Sequence, residues 1–123
     1  MGLAKILIVD DDKDFHSFIR DALLASGFDV DSAYTGEECL EKLEVVNPHL
    51  ILLDMNMPGI DGFETCEKIS KLSSAPVVFM SALVSTGTMD KILDSNAVYY
   101  LSKPIRLHDL LDKINAILNL TSE

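Results

Sequence analysis

The stretch "HLILLDMNMPGIDGFE" (His49–Glu64) decides the fold. Four consecutive apolar residues, Leu50 to Leu53, read as a strand buried on both faces, and the run passes directly into Asp54. A buried carboxylate is costly unless it is paired or bound to a metal. Asp54 is therefore a candidate site residue, and the strand that carries it belongs in the middle of a covered sheet. Beyond the loop, Asp61 is placed to cap a helix, with Glu64 three residues later and Phe63, Cys66 and Ile69 spaced to face inward.

Working upstream, "KILIV" (Lys5–Val9) reads as a second continuous buried strand. Phe15, Phe18, Ile19, Ala22 and Leu23 recur at helical spacing and form one apolar face, which Ser26-Gly27 terminates. "FDVDSA" (Phe28–Ala33) alternates apolar and polar residues, the pattern of a half-exposed edge strand. "TGEE" (Thr35–Glu38) is a capping box whose helix runs to about Val46 and stops at Asn47-Pro48. Downstream, "APVVFMSA" (Ala75–Ala82) is a fourth strand, "AVYYLS" (Ala97–Ser102) a fifth, and Leu107, Leu110, Leu111, Ile114, Ile117 and Leu118 line one stripe of a last helix. Between those strands, Leu83 to Asn96 holds Gly87 and a short stripe of Met89, Ile92 and Leu93, which predicts a short or mobile helix. The tail after Leu120 is expected to fray.

Five strand–helix units with mostly apolar strands predict an α/β fold, a doubly wound five-stranded parallel sheet covered on both faces. Right-handed crossovers and an alternating second strand at an edge are satisfied by the order 2-1-3-4-5. No linker, repeat or low-complexity segment interrupts the chain, so residues 1–123 are expected to form one domain with its core from about residue 4 to 120. At this length roughly two-thirds of the unfolded surface can be buried without staples.

The composition narrows the function. A net charge of −10 opposes direct nucleic-acid binding, which needs a basic face, and suits a hard cation, although most of these acids must be solvated surface. No apolar run is long enough for a membrane span, and the amino-terminal residues lead into a strand without the form of a signal peptide. Cys39 and Cys66, far apart on helical stretches, read as small buried hydrophobes in a reducing cytoplasm. His16, His49 and His108 lack metal spacing and read as surface residues or satisfied polar contacts.

Ligands of such sheets bind outside the carboxyl ends of the strands, where the strand order reverses. That point lies between strands one and three. Strand one ends in "VDDD" (Val9–Asp12), strand three at Asp54, strand four at Ser81, and strand five in "YLSKP", with Lys103 at its tip. Each residue alone has a bland reading: Asp12 and Asp14 as helix caps, Ser81 as a backbone hydrogen-bonding group, Lys103 as a surface ion pair, Lys103-Pro104 as a turn. Their joint occurrence at four strand ends favours a site. Crowded like charges at ~4 Å repel by about 4 kcal/mol at an effective dielectric near 20. Asp10, Asp11 and Asp54 therefore call for a cation. Oxygen donors without a histidine cluster point to Mg²⁺ or Ca²⁺ rather than Zn²⁺, and few carboxylates with room for water favour Mg²⁺. A carboxylate beside such an ion, a lysine and a hydroxyl is a plausible nucleophile toward phosphorus.

The strings "ILIVDDD", "GFDVDSAYTGEECLEKL", "LILLDMNMPGIDGFE", "APVVFMSA" and "YLSKP", in this order and spacing, resemble the receiver domain of two-component response regulators, the group that includes the chemotaxis regulator. The resemblance covers Ala4 to Leu120 and implies a flavodoxin-like (βα)5 fold. It implies that Asp54 is phosphorylated by a histidine kinase or histidine phosphotransfer protein. Asp11 then binds Mg²⁺ directly, Asp10 largely through water, and Asn56 through its backbone carbonyl, with Mn²⁺ or Ca²⁺ as substitutes. Ser81 is the switch hydroxyl, Tyr100 the switch aromatic, and Lys103 the partner of the phosphoryl oxygens, preceding a cis peptide to Pro104. Met57, Pro58, Gly59 and Gly62 shape the adjoining loop. The chain is then no enzyme beyond its own phosphorylation and dephosphorylation. It signals to a downstream protein or a fused output domain, with phosphorylation-dependent homodimerisation as one outcome, and binds neither nucleic acid nor membrane.

This sequence departs from the family pattern at Asn96, where glycine is common, at the bulky Tyr99, and at the apolar Leu83 and Val84, which predicts a mobile or partner-facing edge. Three other readings are weaker. A haloacid dehalogenase-type phosphohydrolase would use Asp10 as nucleophile and Asp12 as acid–base but lacks a later acidic pair. A flavin carrier would need "STGT" (Ser85–Thr88) after strand one rather than strand four. A binding scaffold would not need the complete acidic set.

Overall fold

The apolar runs become strands of one parallel sheet, and the periodic segments become helices on its two faces. The structure is a computed structural model in which residues 3–55, 57, 59, 62–81 and 99–118 are described. In chain order these are β1 (Lys5–Val9), α1 (Lys13–Ala25), β2 (Asp29–Ala33), α2 (Gly36–Val46), β3 (Leu50–Asp54), α3 (Gly62–Ser70), β4 (Val77–Ser81), β5 (Tyr99–Ser102) and α4 (Leu107–Leu118). The sheet order is β2-β1-β3-β4-β5 with every pair parallel, as the sequence predicts. The predicted helix between strands four and five (Leu83 to Asn96), Ala97 and Val98 of strand five, the Asp61 cap and the tail after Leu120 lie outside the described residues.

Alternation of side chains along β1 and β3 sorts the core into two layers. Leu7, Val9, Ile51 and Leu53 pack with Phe79, Cys39 and Cys66 beneath α2 and α3. Ile6, Ile8, Leu50 and Leu52 pack with Val78 and Met80 against Ile19 and Leu23 of α1 and Leu110 and Ile114 of α4. All five residues of β3 are buried, as are all five of β4. Each fully buried Leu or Ile contributes about 1.5–3 kcal/mol, so the central strands are held rigidly and their tips are fixed in space. β2 and β5 are the two edges.

Local chemistry sets the helix ends. The Asp12 carboxylate caps α1, accepting from the Asp14 and Phe15 amides at 3.0 and 3.2 Å. α1 closes in a Schellman motif, with Gly27 at φ +94°, its N–H on the Leu24 carbonyl and the Phe28 N–H on the Leu23 carbonyl. Thr35 caps α2 through the Glu38 amide at 3.0 Å, while the Glu38 carboxylate accepts from the Tyr34 amide at 2.7 Å. Asn47, at φ 48°, ends α2 in the left-handed conformation.

One expectation for α1 is overturned. Phe18 does not face the core; it is 51% exposed, and His16 is buried instead. The buried stripe runs His16, Ile19, Leu23, about one position round the helix from the stripe read off the aromatic residues. His16 can occupy it because both ring nitrogens have partners, Ser32 and the Asp10 carbonyl. The other histidines also have polar partners: His49 Nδ1 accepts from the Lys5 amide, and His108 lies exposed beside Asp112.

Candidate functional site

β1 and β3 are neighbours, paired from Ile6↔Leu50 to Val9↔Leu53. Asp10 follows β1 and Asp54 is the last residue of β3, so two carboxylates emerge from adjacent strand tips. The sequence folds this way because each acid ends an apolar run. The runs are buried for their whole length, and the acids are carried in with them, Asp10 fully buried and Asp54 5% exposed. Asp11, next in the turn, is exposed. One oxygen from each of Asp10, Asp11 and Asp54 lies within 4.8 Å of the others.

Lys103 reaches this cluster from beyond β5. Its Nζ donates to Asp10 Oδ2 at 2.7 Å and lies 3.8 Å from Asp54 Oδ1. The ammonium also sits 4.7 Å above the centre of the Phe15 ring, a cation–π contact that holds the lysine over the acids. The peptide from Lys103 to Pro104 is cis, as the resemblance implied. Asp10 is held on every side. Its N–H donates to the Ala33 carbonyl at 3.1 Å, Oδ1 accepts from the Asp12 amide at 3.0 Å, and its carbonyl meets His16 Nε2 at 2.6 Å.

Ser81 is the buried last residue of β4, next to β3. Its carbonyl accepts from the Lys103 N–H at 2.8 Å and from the Tyr100 hydroxyl at 3.1 Å. Tyr100 is half-buried against the core layer that contains Phe79. On the loop after β3, Met57 is buried and Gly59 has φ +84°. A Cβ on Gly62 would come within 2.7 Å of Met55 Cα and 2.8 Å of the Asp54 carbonyl, so only glycine lets α3 start against the backbone of the acid. Asn56 and Pro58 lie outside the described residues.

The structure thus brings Asp10, Asp11, Asp54 and Lys103 together and ties Ser81 and Tyr100 to Lys103 through one carbonyl. Phe15 and His16 were not read as site residues from the sequence. A single aromatic at a helical spacing looks like core, and a single histidine looks like a satisfied polar contact. Asp12, the acid–base of the phosphohydrolase reading, is engaged as a helix cap.

Three carboxylates with one ammonium leave excess negative charge in a partly dry site. Oxygen donors, one exposed acid open to solvent and two held acids fit a hard divalent cation that keeps some of its water. Cys and His are absent from the cluster, which disfavours zinc. Among the described residues, no helix is long and apolar enough to cross a membrane.

Comparison with known proteins agrees with this geometry. The sequence model of the response regulator receiver domain matches residues 6–115. The chain is 36% identical over 118 residues to the response regulator ArlR of Staphylococcus aureus (strain Mu50 / ATCC 700699), covering 94% of this chain and 53% of that protein. It therefore spans about half the length of the curated relatives it matches. Among solved structures it resembles a CheY-like response regulator receiver domain protein from Methanospirillum hungatei JF-1, with TM-score 0.91, 32% identity and 97% and 96% of the two chains covered. A two-component response regulator from Clostridium difficile is equally similar, with TM-score 0.91, 32% identity and 98% and 99% covered. Strand order, acidic cluster and sequence match converge, and the chain belongs to the response regulator receiver domain family.

Proposed function

We propose that Asp54 is the phosphoacceptor of this receiver domain and that the surrounding residues carry out its phosphorylation and dephosphorylation. The observation that carries this reading is the position of Asp54, at a buried strand tip within 4.8 Å of Asp10 and Asp11 and 3.8 Å from the Lys103 ammonium.

An Asp54 oxygen attacks the phosphorus of a phosphohistidine on a histidine kinase or phosphotransfer protein. A new P–O bond forms and the P–N bond breaks, its electron pair returning to the imidazole. The transferred group passes through a loose transition state, so the protein contributes positioning and charge rather than covalent chemistry. Asp11 and Asp54, with Asp10 through water and the Asn56 carbonyl, would hold Mg²⁺, whose charge neutralises the acids and the phosphoryl oxygens together. Lys103 shifts from Asp10 toward the new oxygens, and Ser81 donates its hydroxyl to them. Water attack on the same phosphorus returns the carboxylate, so the chain acts catalytically on itself alone.

The modification adds about −1.5 to −2 charges and three strong acceptors. Movement of Lys103 and Ser81 pulls on the carbonyl that also holds Tyr100, and the β5 edge repacks. Gly59, Gly62, Pro58 and Pro104 keep the flanking loops in place. The output is a shift between two conformations, read by a downstream protein, a fused output domain or a second copy of the chain. The same reading puts the chain in the cytoplasm, where Cys39 and Cys66 stay thiols.

The test is incubation with acetyl phosphate and Mg²⁺, read by intact mass. The wild-type chain should gain one phosphoryl group, and neither Asp54→Asn nor the wild type in chelator should gain any. A gain retained by Asp54→Asn would move the acceptor elsewhere.

A further inference from the structure

We infer that His16 is a positioning residue, fixing the peptide between Asp10 and Asp11 so that the two acids face one divalent cation; this rests on the metal reading above. The carbonyl that His16 Nε2 meets at 2.6 Å is that of Asp10, part of the peptide unit linking the two acids. A carbonyl can only accept, so Nε2 carries the proton. In the neutral ring Nδ1 is then the acceptor, and it lies 3.1 Å from the buried Ser32 hydroxyl. The Tyr34 ring packs 4.4 Å from the imidazole and limits its rotation.

His16 therefore ties three parts of the fold together: α1, which carries it, the edge strand β2 through Ser32, and the turn after β1. The turn needs such a hold. Asp10 and Asp11 are adjacent in sequence yet differ in environment, one buried and one exposed. Rotation of their shared peptide plane would swing Asp11 away from Asp54 while leaving β1 intact. The Ala33 carbonyl grips the peptide before Asp10, and His16 grips the one after it. Groups that orient metal ligands from behind typically alter metal affinity by 10–100-fold when replaced.

The experiment measures Mg²⁺ affinity of the full chain by titration calorimetry, with the melting temperature and exchange of the Asp12 amide in metal-free protein. His16→Phe keeps the ring and removes both hydrogen bonds. It should weaken Mg²⁺ binding by about ten-fold and speed Asp12 exchange. His16→Gln, which can donate to the carbonyl and accept from Ser32, should restore most of the affinity. Leu23→Ala, two turns along the same helix and buried in the apolar core, should lower the melting temperature and leave Mg²⁺ affinity unchanged. Equal affinity in wild type and His16→Phe would overturn the inference and leave the metal reading intact. So would an equal loss in Leu23→Ala. Failure of the wild-type chain to bind Mg²⁺ would overturn both. If His16→Phe does not fold, Ser32→Ala decides: it should weaken Mg²⁺ binding in the same direction, and wild-type affinity with wild-type Asp12 exchange would overturn the inference.

Discussion

Two lysines in this molecule each sit among carboxylates, and they teach different lessons. Lys42, on α2, pairs with Asp31 and Glu38 at 3.5 Å each and donates to the Ser32 carbonyl. Lys103 pairs with Asp10 at 2.7 Å and lies 3.8 Å from Asp54. The chemical groups are the same, but the solvent is not. The side chains of Asp31, Glu38 and Lys42 are 33–41% exposed, whereas the side chains of Asp10, Asp54 and Lys103, taken without their backbone, are 1%, 7% and 23% exposed. Water screens the first set, which can rearrange at little cost. The second set is crowded and partly dry, so its charges act on one another with little screening. Burial, rather than the presence of an ion pair, separates a site from a decorated surface.

The sharpest way to break that comparison is to remove each ammonium in turn. Lys103→Met should slow phosphoryl gain from acetyl phosphate by about 10²–10³-fold, the usual loss when one preorganised charge donor is deleted. Initial rates by intact mass measure it, and a rate within a few-fold of wild type would place Lys103 with Lys42.

A third ionisable group shows what burial does among apolar neighbours. Cys39 packs in the α2/α3 core layer, and desolvation pushes its thiol from 9.0 up to about 12. The folded state thus keeps its proton where the unfolded chain loses it. The stabilisation is fully present below about pH 9 and is lost as the pH rises toward about 12. Within that window Cys39 should reduce stability by about 1.4 kcal/mol per pH unit. Denaturant melts of wild type and Cys39→Ala from about pH 8, below the thiol's window, to about pH 10.5, inside its lower half, check this: above about pH 9 the wild-type slope should be the steeper. Parallel slopes would mean the thiolate is solvated in the fold.

The smallest effect belongs to Lys42→Met. Stability should change by about 0–1 kcal/mol, and the acetyl phosphate rate should not change. Chemical denaturation and the same mass assay read both. A loss in rate would show that the exposed ion pairs of Lys42 act on the acids and would remove the contrast between the two lysines.

Much of this was legible in the residues. Leu50–Asp54 announced a central strand with a charge at its tip, and the alternation of Phe28–Ala33 announced an edge. Asp10, Asp11, Asp54 and Lys103 could be brought together because strand order and direction follow from local pattern. What stayed hidden depends on tertiary placement. Phe18 and His16 both lie near the apolar stripe of α1, and hydrophobicity favours Phe18. The ring that goes inside is decided by the Asp10 carbonyl and the Ser32 hydroxyl, which come from elsewhere in the chain. Phe15 likewise became part of the site only when a lysine from residue 103 arrived over its ring.

The Ser81 carbonyl accepts two hydrogen bonds, from the Lys103 amide and the Tyr100 hydroxyl. A carbonyl oxygen offers two lone pairs, so both are occupied. Tilting that one peptide cannot loosen one tether without disturbing the other. A displacement of that peptide beside the acids would therefore reach the sheet's outer margin at Tyr100 and Lys103 together, like a single latch that holds two doors.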